Sequence, residues 1–337
     1  MSGPALDSSV RTFGAGEAGG FCDHSMNDVS ARATFGASGS TLHDSTLDSD
    51  VSSEITSTIR RGSLAHYELL GVIGAGKFSK VFQARANSEH GCGGGGVVAV
   101  KKVQIFEIMD SKVRNDCINE VNLLQSLDHP CIIRCLDSFI EENELVIVLE
   151  HAEGGDLGAL LAEARRREQP MPEAEIWSHF AQVAGAVAHM HRRRMMHRDI
   201  KPSNVFLQAG GGVKLGDLGL SRYFSSKTAQ ARSMVGTPYY MSPECIRGQP
   251  YDWSSDVWSL GCLLYELATL RNPFYKDGLN YYTLGKLITN CEYEPLPAGA
   301  SEWLRSLVSA MVQGDPTRRP SAEQVAGAAA QAREAEM

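Results

Sequence analysis

Two short segments in the second half of the chain carry residue types that suit phosphate chemistry. His197-Arg-Asp199 is followed by Lys201 and Asn204, and Asp217-Leu-Gly comes shortly afterwards. A carboxylate such as Asp199 can accept the proton of a hydroxyl group, and Lys201 can reach a phosphate. The side-chain oxygens of Asn204 and Asp217 are ligands that Mg²⁺ prefers. Either acid alone would more often be a solvated loop residue, but together these residue types suit phosphoryl transfer, a reaction that depends on positioning and charge neutralisation.

A glycine-rich turn lies in the first half of the chain, between two β-rich runs. Gly74-Ala75-Gly76 follows Ile73, and the next run begins near Val81. No helix opens after the glycines, as a dinucleotide-binding fold would require. The turn is either an ordinary hairpin or a loop that covers phosphates, and the neighbouring motifs favour the second interpretation.

A lysine, Lys101, ends the apolar run VAVK, where its ammonium group would point into a cleft. Glu120 follows on a predicted helix and can pair with this ammonium group, which would position it against phosphate oxygens. The alternative is a surface pair that contributes less than ~1 kcal/mol. The other motifs favour the functional pair.

The elements that must position these residues fall into two halves. Short β-rich runs that begin at Tyr67, together with the apolar run at 145–150, predict a small antiparallel sheet. One helix accompanies this sheet, because three apolar residues recur at helical spacing: Ile118, Val121 and Leu124.

The pattern becomes helical after Gly154 and Gly155. One long helix has an apolar face formed by Ile176, Phe180, Val183, Val187 and Met190. A second helix, at 257–267, is apolar nearly all round, as a central buried helix should be. The sequence therefore predicts an α+β fold in which a small β-rich lobe and a larger helical lobe leave a ligand-binding cleft between them.

Composition and charge exclude several classes of protein. The 337 residues are 43% hydrophobic and carry a net charge of −8, so we expect neither whole-chain disorder nor broad binding to nucleic acid or anionic lipid. The longest apolar run, at 257–270, is interrupted by Glu266 and is too short to span a membrane. The first residues lack the features of a secretory signal or a myristoylation site, so we expect an intracellular protein.

Residues 1–63 differ in composition from the rest of the chain. They are dominated by Ser, Thr, Gly, Ala and Asp without an apolar period, so we expect a disordered tail. A tail that binds a partner or is phosphorylated is the alternative. Two basic triplets, Arg165–Arg167 and Arg192–Arg194, are expected to be solvated structural residues, with substrate docking or nuclear import as the alternative.

The ordered set VAVK, HRDIKPSN, DLG and SPE resembles the eukaryotic protein kinases over about residues 67–325. The resemblance implies the bilobal kinase fold, with an antiparallel N-lobe sheet, one N-lobe helix and a larger, mainly α-helical C-lobe. The implied kinase domain covers 64–329, with the N-lobe at about 67–150, the hinge at 150–155 and the C-lobe at 156–329. Residues 330–337 would form a short C-terminal tail.

The resemblance also implies ATP and Mg²⁺ as cofactors and protein hydroxyl groups as acceptors. The implied catalytic residues are Asp199, Lys201 and Asn204, and the implied metal ligands are Asn204 and Asp217. The implied ATP-binding residues are Ile73, Gly74, Ala75, Gly76, Val81, Ala99, Lys101, Glu120, Glu150 and Ala152.

Lys201 after HRD-Ile and Thr237 in GTPYYMSPE resemble the serine/threonine class of this family. In the family, this threonine contacts the catalytic-loop aspartate and lysine. Glu244 would pair with the arginine that matches Arg319, and these contacts anchor the substrate platform. Leu220, directly after DLG, resembles kinases that prefer serine to threonine as acceptor.

The segments VAVKKVQIFEIMDSKVRNDCINEV, DLGLSRYFSSKTAQARSMVGTPYYMSPE and CEYEPLP are similar to the NIMA-related kinases, specifically their short mitotic members. DLG in place of DFG, and the lack of a heptad tract after residue 325, agree with that type. The resemblance implies a role in mitotic, microtubule or cilium-related regulation. It also implies a location in the cytoplasm or nucleus, including the spindle, centrosome or basal body.

Ser233 lies four residues before Thr237, at the position that the family phosphorylates. A phosphate there would add about −1.5 to −2 charge, and Arg198 is the expected cation to receive it. The resemblance therefore implies a switch operated by an upstream kinase or an activating partner. An unmodified loop serine is the alternative.

Two other functions remain open on the sequence alone. A pseudokinase scaffold would bind partners without transferring phosphate. Five retained residues argue against it: Lys101, Glu120, Asp199, Asn204 and Asp217. A small-molecule phosphotransferase would keep the phosphate-binding residues but should lack a peptide-docking segment such as GTPYYMSPE.

Overall fold

The computed structural model describes residues 62–76, 79–87, 95–107, 110–217 and 238–336, with only the backbone of Val113, Asp116 and Glu120. Residues 1–61 and 218–237 therefore lie outside the described residues. The tail predicted at 1–63, apart from its last two residues, and the roles predicted for Leu220, Ser233 and Thr237 stay predictions.

The N-lobe is an antiparallel sheet with one helix packed against it. Its strands are β1 (Tyr67–Ala75), β2 (Ser79–Ala86), β3 (Val97–Val103), β4 (Cys135–Glu141) and β5 (Glu144–Glu150), in the order β1-β2-β3-β5-β4. The helix α1 (Ser111–Gln125) lies between β3 and β4 along the chain, and short 3₁₀ turns cover Leu64–His66 and Ile105–Glu107.

The centre of this sheet carries Lys101. In the strand register Lys101 on β3 lies between Val81 on β2 and Ile147 on β5. The predicted apolar face of α1 is confirmed, because Ile118 and Val121 are buried against residues of β3 and β5. The position of the lysine is therefore fixed by strands on both sides.

The C-lobe is mainly helical. Its helices are α2 (Leu157–Arg166), α3 (Glu173–Arg192), α4 (Pro243–Ile246), α5 (Trp253–Thr269), α6 (Tyr281–Asn290), α7 (Glu302–Met311) and α8 (Ala322–Ala335). Two three-residue strands, β6 (Val205–Leu207) and β7 (Val213–Leu215), form a separate antiparallel pair, and 3₁₀ turns cover Pro202–Asn204 and Pro316–Arg318.

The two helices predicted from apolar patterns form the middle of the C-lobe. All five residues of the predicted apolar face of α3 are buried, and α5 is buried from Ser255 to Leu267. Asp252 and Ser255 form a capping box that fixes the start of α5. Because α5 is buried on every side, the loops bound to it are held by the core of the lobe.

The last helix, α8, extends beyond residue 329, the predicted end of the kinase domain. Its capping box at Ser321 fixes its start, and it continues to Ala335 with Ala329 and Ala332 fully buried. The packed part of the C-lobe therefore extends beyond residue 329, into the segment predicted as a short tail.

Both basic triplets make contacts inside the C-lobe or between the lobes. Arg193 donates to the backbone oxygen of Ser126 at 2.9 Å, and Arg192 lies 3.7 Å from a carboxylate oxygen of Glu323. Residues Arg165–Arg167 pair with carboxylates of α2 and α5. These contacts support the structural interpretation of the triplets. No helix within the described ranges combines enough length with enough apolar character to cross a bilayer.

Candidate active site

The loop that carries the predicted catalytic residues is anchored to α5 by a carboxylate. Asp256 is completely buried, and its two oxygens accept hydrogen bonds from the backbone N–H groups of His197 and Arg198, both at 2.9 Å. His191 and the hydroxyl group of Tyr251 also contact this carboxylate, at 2.8 and 2.5 Å. Asp256 therefore accepts hydrogen bonds from the two backbone N–H groups directly before Asp199. One of them belongs to Arg198, whose φ is 69°.

The charge of Asp256 is maintained by its partners. Burial alone would raise the pKa of Asp256, but the contacts with His191, His197 and Tyr251 outweigh it and the pKa lies below its ordinary value. The buried loop anchor is therefore a carboxylate at neutral pH.

Asp199, Lys201 and Asn204 form one cluster. The Nζ atom of Lys201 lies 2.8 Å from Oδ2 of Asp199. The side-chain N–H group of Asn204 donates to the backbone oxygen of Asp199 at 2.7 Å and to Oδ2 at 3.0 Å. The 3₁₀ turn at Pro202–Asn204 brings the chain back and allows these contacts. The cluster leaves the Asp199 side chain 31% exposed, so the carboxylate is open to a substrate.

Asp217 is brought to the same cluster from the end of β7. The backbone N–H group of Gly216 donates to the backbone oxygen of Asn204 at 2.9 Å, and the ring of His197 lies 3.0 Å from the backbone oxygen of Gly216. Burial lowers the pKa of the completely buried His197 and favours its neutral ring. Two short contacts therefore fix the residue before Asp217 against the catalytic loop.

Lys101 joins the N-lobe to this cluster through an ion pair with Asp217. Burial would raise the pKa of Asp217, but the charges of Lys101 and Lys201 lower it below the ordinary value. The predicted partner of Lys101, Glu120, lies on α1, but its side chain is outside the described atoms. The structure thus reports a different partner for Lys101, and the pairing with Glu120 stays a prediction.

The cleft beside Lys101 and Asp217 continues into an apolar cavity. Its other lining residues are Leu124, Ile133, Cys135, Ile147 and Leu149, from α1, β4, β5 and the loop between α1 and β4. Burial raises the pKa of the Cys135 thiol to about 12. The charged pair therefore lies at the rim of an apolar pocket.

The glycine-rich segment includes the last residues of β1 and continues into the turn before β2. Gly74 pairs with Val81, and the N–H group of Gly76 donates to the backbone oxygen of Ser79 at 2.7 Å. A Cβ atom at Gly74 would lie 3.5 Å from the Val81 side chain. Residues 77 and 78 at the tip lie outside the described residues. The described part is a β-hairpin, in agreement with the predicted order of strand, glycine loop and strand.

The other predicted ATP-binding residues lie on β1, on β3, at the end of β5 and directly after β5. Ile73 on β1 is 52% exposed, whereas Ala99 on β3 is buried and pairs with Leu149 on β5. Glu150 ends β5, and Ala152 follows in the connection to the C-lobe. The Glu150 carboxylate binds the buried Lys214 of β7 at 2.9 Å, so the predicted hinge begins with a contact to the C-lobe.

The predicted pair of Glu244 and Arg319 is formed. Two hydrogen bonds join the guanidinium group to the two carboxylate oxygens, at 2.7 and 2.8 Å, and both residues are buried. The hydroxyl group of Ser255 on α5 donates to the same carboxylate at 2.7 Å, and Arg319 lies over the ring of Trp258 at 5.1 Å. The end of the segment predicted as the substrate platform is therefore held by α5.

This pair predicts a pH dependence of stability. Burial opposes ionisation of Glu244, but the hydrogen bonds from Arg319 and Ser255 outweigh it and lower the pKa to about 2. Because the folded pKa is below the unfolded value, the stabilisation is complete above pH ~4.5 and is lost as the pH falls towards 2. A shift of this size corresponds to about 3 kcal/mol.

We therefore expect Glu244→Gln to lower the free energy of unfolding by about 3 kcal/mol at pH 7, and by roughly half of that at pH 3, which still lies above the folded pKa. Urea unfolding at both pH values measures the difference. Glu302→Gln removes a carboxylate whose side chain is 82% exposed and is the matched control. A difference between the native protein and Glu244→Gln that does not change with pH would contradict the expectation.

Sequence reasoning missed the anchor at Asp256. The available signal was an acidic residue inside a helix that is otherwise buried, since such a charge must have partners. The contact between Lys214 and Glu150 was also missed, because the two residues lie 64 positions apart in the chain.

Comparison with known proteins agrees with this geometry. The family model of the protein kinase domain matches residues 67–329. The chain belongs to the protein kinase family. The predicted bilobal kinase fold is confirmed by this match and by the sheet and helices described above.

Several similar proteins in this family are NIMA-related serine/threonine kinases. The chain is 40% identical over 266 residues to the probable serine/threonine-protein kinase nek2 of Dictyostelium discoideum, which covers 77% of this chain and 62% of that protein. It is 36% identical over 266 residues to human serine/threonine-protein kinase Nek2, covering 77% and 58%. For human Nek5 the identity is 38% over 258 residues, covering 76% and 35%.

These relatives confirm the predicted resemblance to the NIMA-related serine/threonine kinases. This member of the protein kinase family spans less than two thirds of the length of each of them. What they share with it is the kinase domain.

Proposed function

We propose that this chain transfers the γ-phosphoryl group of ATP to serine hydroxyl groups of proteins, with threonine as the second acceptor. One observation carries the proposal: Asn204 binds Asp199 through its side chain and Gly216 through its backbone oxygen, and the next residue, Asp217, is reached from the N-lobe by Lys101. Two carboxylates, an amide and two ammonium groups thus share one cleft, which suits a reaction that needs orientation and charge neutralisation.

The residues in this cleft fit the proposed cofactors. Asn204 and Asp217 offer the oxygen atoms that Mg²⁺ prefers, and the lowered pKa of Asp217 keeps it charged at neutral pH. Lys101 offers an ammonium group for phosphate oxygens. When bound, ATP and Mg²⁺ supply the transferable phosphoryl group and the positive charge that stabilises it.

The remaining steps belong to the residues of the chain. Asp199 is placed to orient the acceptor hydroxyl group and to accept its proton as that oxygen takes up the phosphoryl group, and ADP would be the leaving group. Lys201 neutralises charge beside that proton acceptor, and Asn204 fixes the Asp199 carboxylate by donating to it and to the backbone oxygen of Asp199. Asp256 of α5 holds the loop in this geometry by accepting hydrogen bonds from the backbone N–H groups of His197 and Arg198.

Transfer of labelled phosphate from ATP to a generic protein substrate, with and without Mg²⁺, tests the proposal. We expect Mg²⁺-dependent incorporation into serine, less into threonine and none into tyrosine. Binding of ATP without transfer would favour a pseudokinase scaffold. Transfer to small hydroxyl compounds but not to proteins would favour a small-molecule phosphotransferase.

The proposed cellular role rests on the resemblance to the NIMA-related kinases. We propose mitotic, microtubule or cilium-related regulation, with protein substrates in the cytoplasm or nucleus and at the spindle, centrosome or basal body. Phosphoproteomic comparison of cells that carry the native protein or Lys101→Met would identify the substrates. Substrates confined to unrelated processes would refute this role.

The proposed switch at Ser233 leads to a prediction. We expect Ser233→Ala to lower the transfer rate at least about tenfold, because a phosphate there would form charge-assisted hydrogen bonds worth about 1.5–3 kcal/mol each. ATP binding should stay unchanged, since Lys101 and Asp217 do not depend on that phosphate. The transfer rate and the phosphate content of the segment, by mass spectrometry, are measured together.

Ser226→Ala, in the same segment, is the matched control and should keep native turnover. Native turnover in Ser233→Ala as well would remove this switch. It would leave Ser233 as an unmodified loop serine, and the proposed upstream kinase or activating partner would need another point of action.

A further inference from the structure

The residues that precede β1 are attached to the end of β4 by a carboxylate. The hydroxyl group of Ser63 donates to Oε1 of Glu141 at 2.9 Å, and the backbone N–H group of Leu64 donates to Oε2 at 2.6 Å. Glu141 is the last residue of β4 and has no part in the active site described above. One side chain therefore holds two consecutive residues at the entry to the N-lobe sheet.

The hydroxyl group of Ser63 makes a second contact, as an acceptor. The backbone N–H group of Ala65 donates to Oγ of Ser63 at 3.2 Å and so caps the 3₁₀ turn Leu64–His66. The hydroxyl group thus uses its proton on Glu141 and an oxygen lone pair on its own turn. Because Ser63 is half-buried in these contacts, another enzyme can reach its oxygen only after the segment has left Glu141.

The same segment covers part of one face of the N-lobe sheet. The ring of Phe139 on β4 is 1% exposed and stacks on Tyr67, and a Cβ atom at Gly62 would overlap it. Leu64 packs against the buried cluster that contains both rings. The β3 and β5 residues of this cluster alternate with those that pack against α1, so the cluster lies on the opposite face of the sheet. Residues 62–64 therefore close this face beside β4.

The sequence directly before Ser63 is basic. Arg60 and Arg61 stand three and two positions before it, and they are the only adjacent basic residues among residues 1–63. Kinases distinguish their substrates by such charge patterns. Two guanidinium groups at fixed positions before a serine suit a kinase whose substrate cleft carries carboxylates. Ser63 thus combines a basic recognition sequence with a hydroxyl group that holds the segment in place.

We propose that Ser63 is a phosphorylation site for a kinase that selects arginine before the acceptor, and that the phosphate detaches residues 62–64 from Glu141. In the transfer, Oγ of Ser63 bonds to the γ-phosphorus of an ATP molecule held by that kinase. ADP leaves with the bridging oxygen, and the hydroxyl proton passes to a base of that kinase. The phosphate then places about −1.5 to −2 charge beside a carboxylate, so repulsion replaces a hydrogen bond.

The full-length Asp199→Asn variant, incubated with ATP and a purified serine kinase that selects arginine at these two positions, tests the site. A reaction without the added kinase measures any self-phosphorylation. We expect mass spectrometry to find phosphate at Ser63, and at least about tenfold less when Arg60 and Arg61 are both replaced by glutamine, because charged contacts are lost. Ser57, which follows Glu54-Ile-Thr, is the internal control and should stay unmodified.

Two substitutions that weaken the attachment should speed this modification. Glu141→Gln leaves one side-chain oxygen for two donors, and Gly62→Ala places a Cβ atom against the ring of Phe139, whereas both keep the arginines. The initial rate follows the population of the detached segment. We expect Glu141→Gln to raise it about tenfold, the effect of one charge-assisted hydrogen bond, and Gly62→Ala to raise it as well. Glu142→Gln, at the next and exposed residue, is the matched control and should keep the native rate.

Hydrogen exchange measures the detachment itself. The N–H group of Leu64 loses its acceptor when the segment leaves Glu141, so it should exchange at least about tenfold faster in the phosphorylated protein. Amides in the buried part of α5 should exchange as before and are the control.

Each part of the proposal can fail separately. No phosphate at Ser63 in the Asp199→Asn protein, with or without Glu141→Gln, would show that it is not a phosphorylation site. Phosphate at Ser63 with unchanged exchange at Leu64, or equal rates for Glu141→Gln and Glu142→Gln, would show that the phosphate does not detach the segment. Because the added kinase supplies the activity, none of these results depends on whether this chain transfers phosphate itself.

Discussion

Asp199→Asn is expected to lower the turnover number for phosphate transfer by about 10²–10⁴-fold, the usual contribution of a positioned general base. The substitution keeps the shape of the side chain and an oxygen that can accept from Lys201 and Asn204. What it removes is the ability to take the proton of the acceptor hydroxyl group. Because the lost interaction belongs to the transition state, the turnover number and kcat/KM should fall together, with the affinity for ATP unchanged.

The measurement is the initial rate of label transfer to a serine peptide, with ATP binding measured in parallel. Asp315→Asn is the matched control, because Asp315 caps an exposed 3₁₀ turn and asparagine caps as well as aspartate. It should keep the native rate. A rate for Asp199→Asn within about fivefold of the native rate would contradict general-base catalysis at this position. Incorporation that is equal in the native protein and in Asp199→Asn, and no higher than without either protein, would favour the pseudokinase scaffold.

The parts of this site that the sequence predicts are those encoded by short local segments. Asp199, Lys201 and Asn204 lie within six residues, and the turn at Pro202–Asn204 brings their side chains together with little help from the rest of the fold. The helices α3 and α5 are predictable for a similar reason, because a single buried face or a fully buried segment leaves a clear apolar pattern.

Contacts between distant segments are less predictable. Lys101 and Asp217 are 116 residues apart, and nothing in either local pattern says that they form an ion pair. The strand β4 was not predicted, because its sequence CLDSFIE mixes polar and apolar residues. The strands β6 and β7 have three residues each, which is too short for an alternating pattern to be recognised. Their role is to hold the residue before Asp217 against the catalytic loop.

Asp256→Asn is expected to destabilise the fold and to disorder the catalytic loop together. The N–H group of His197 donates to one oxygen of Asp256, and that of Arg198 donates to the other. An amide has only one oxygen, so one of these buried N–H groups must face an NH₂ group. Neither backbone donor can change its role, whereas His191 and the Tyr251 hydroxyl group can reorient. The loop therefore loses at least one of its two backbone attachments.

We expect Asp256→Asn to lower the free energy of unfolding by about 3–5 kcal/mol, the cost of breaking a buried charged contact. The turnover number of the folded fraction should fall about 100-fold, the effect of misplacing a reacting group by about 1 Å. Urea unfolding and label transfer at a temperature where the variant is folded measure the two effects. Asp252→Asn, at the exposed cap of the same helix, should leave both near native values. If Asp256→Asn behaved like that control, the loop would be positioned without its carboxylate anchor, and the account of how α5 holds Asp199 in place would be wrong.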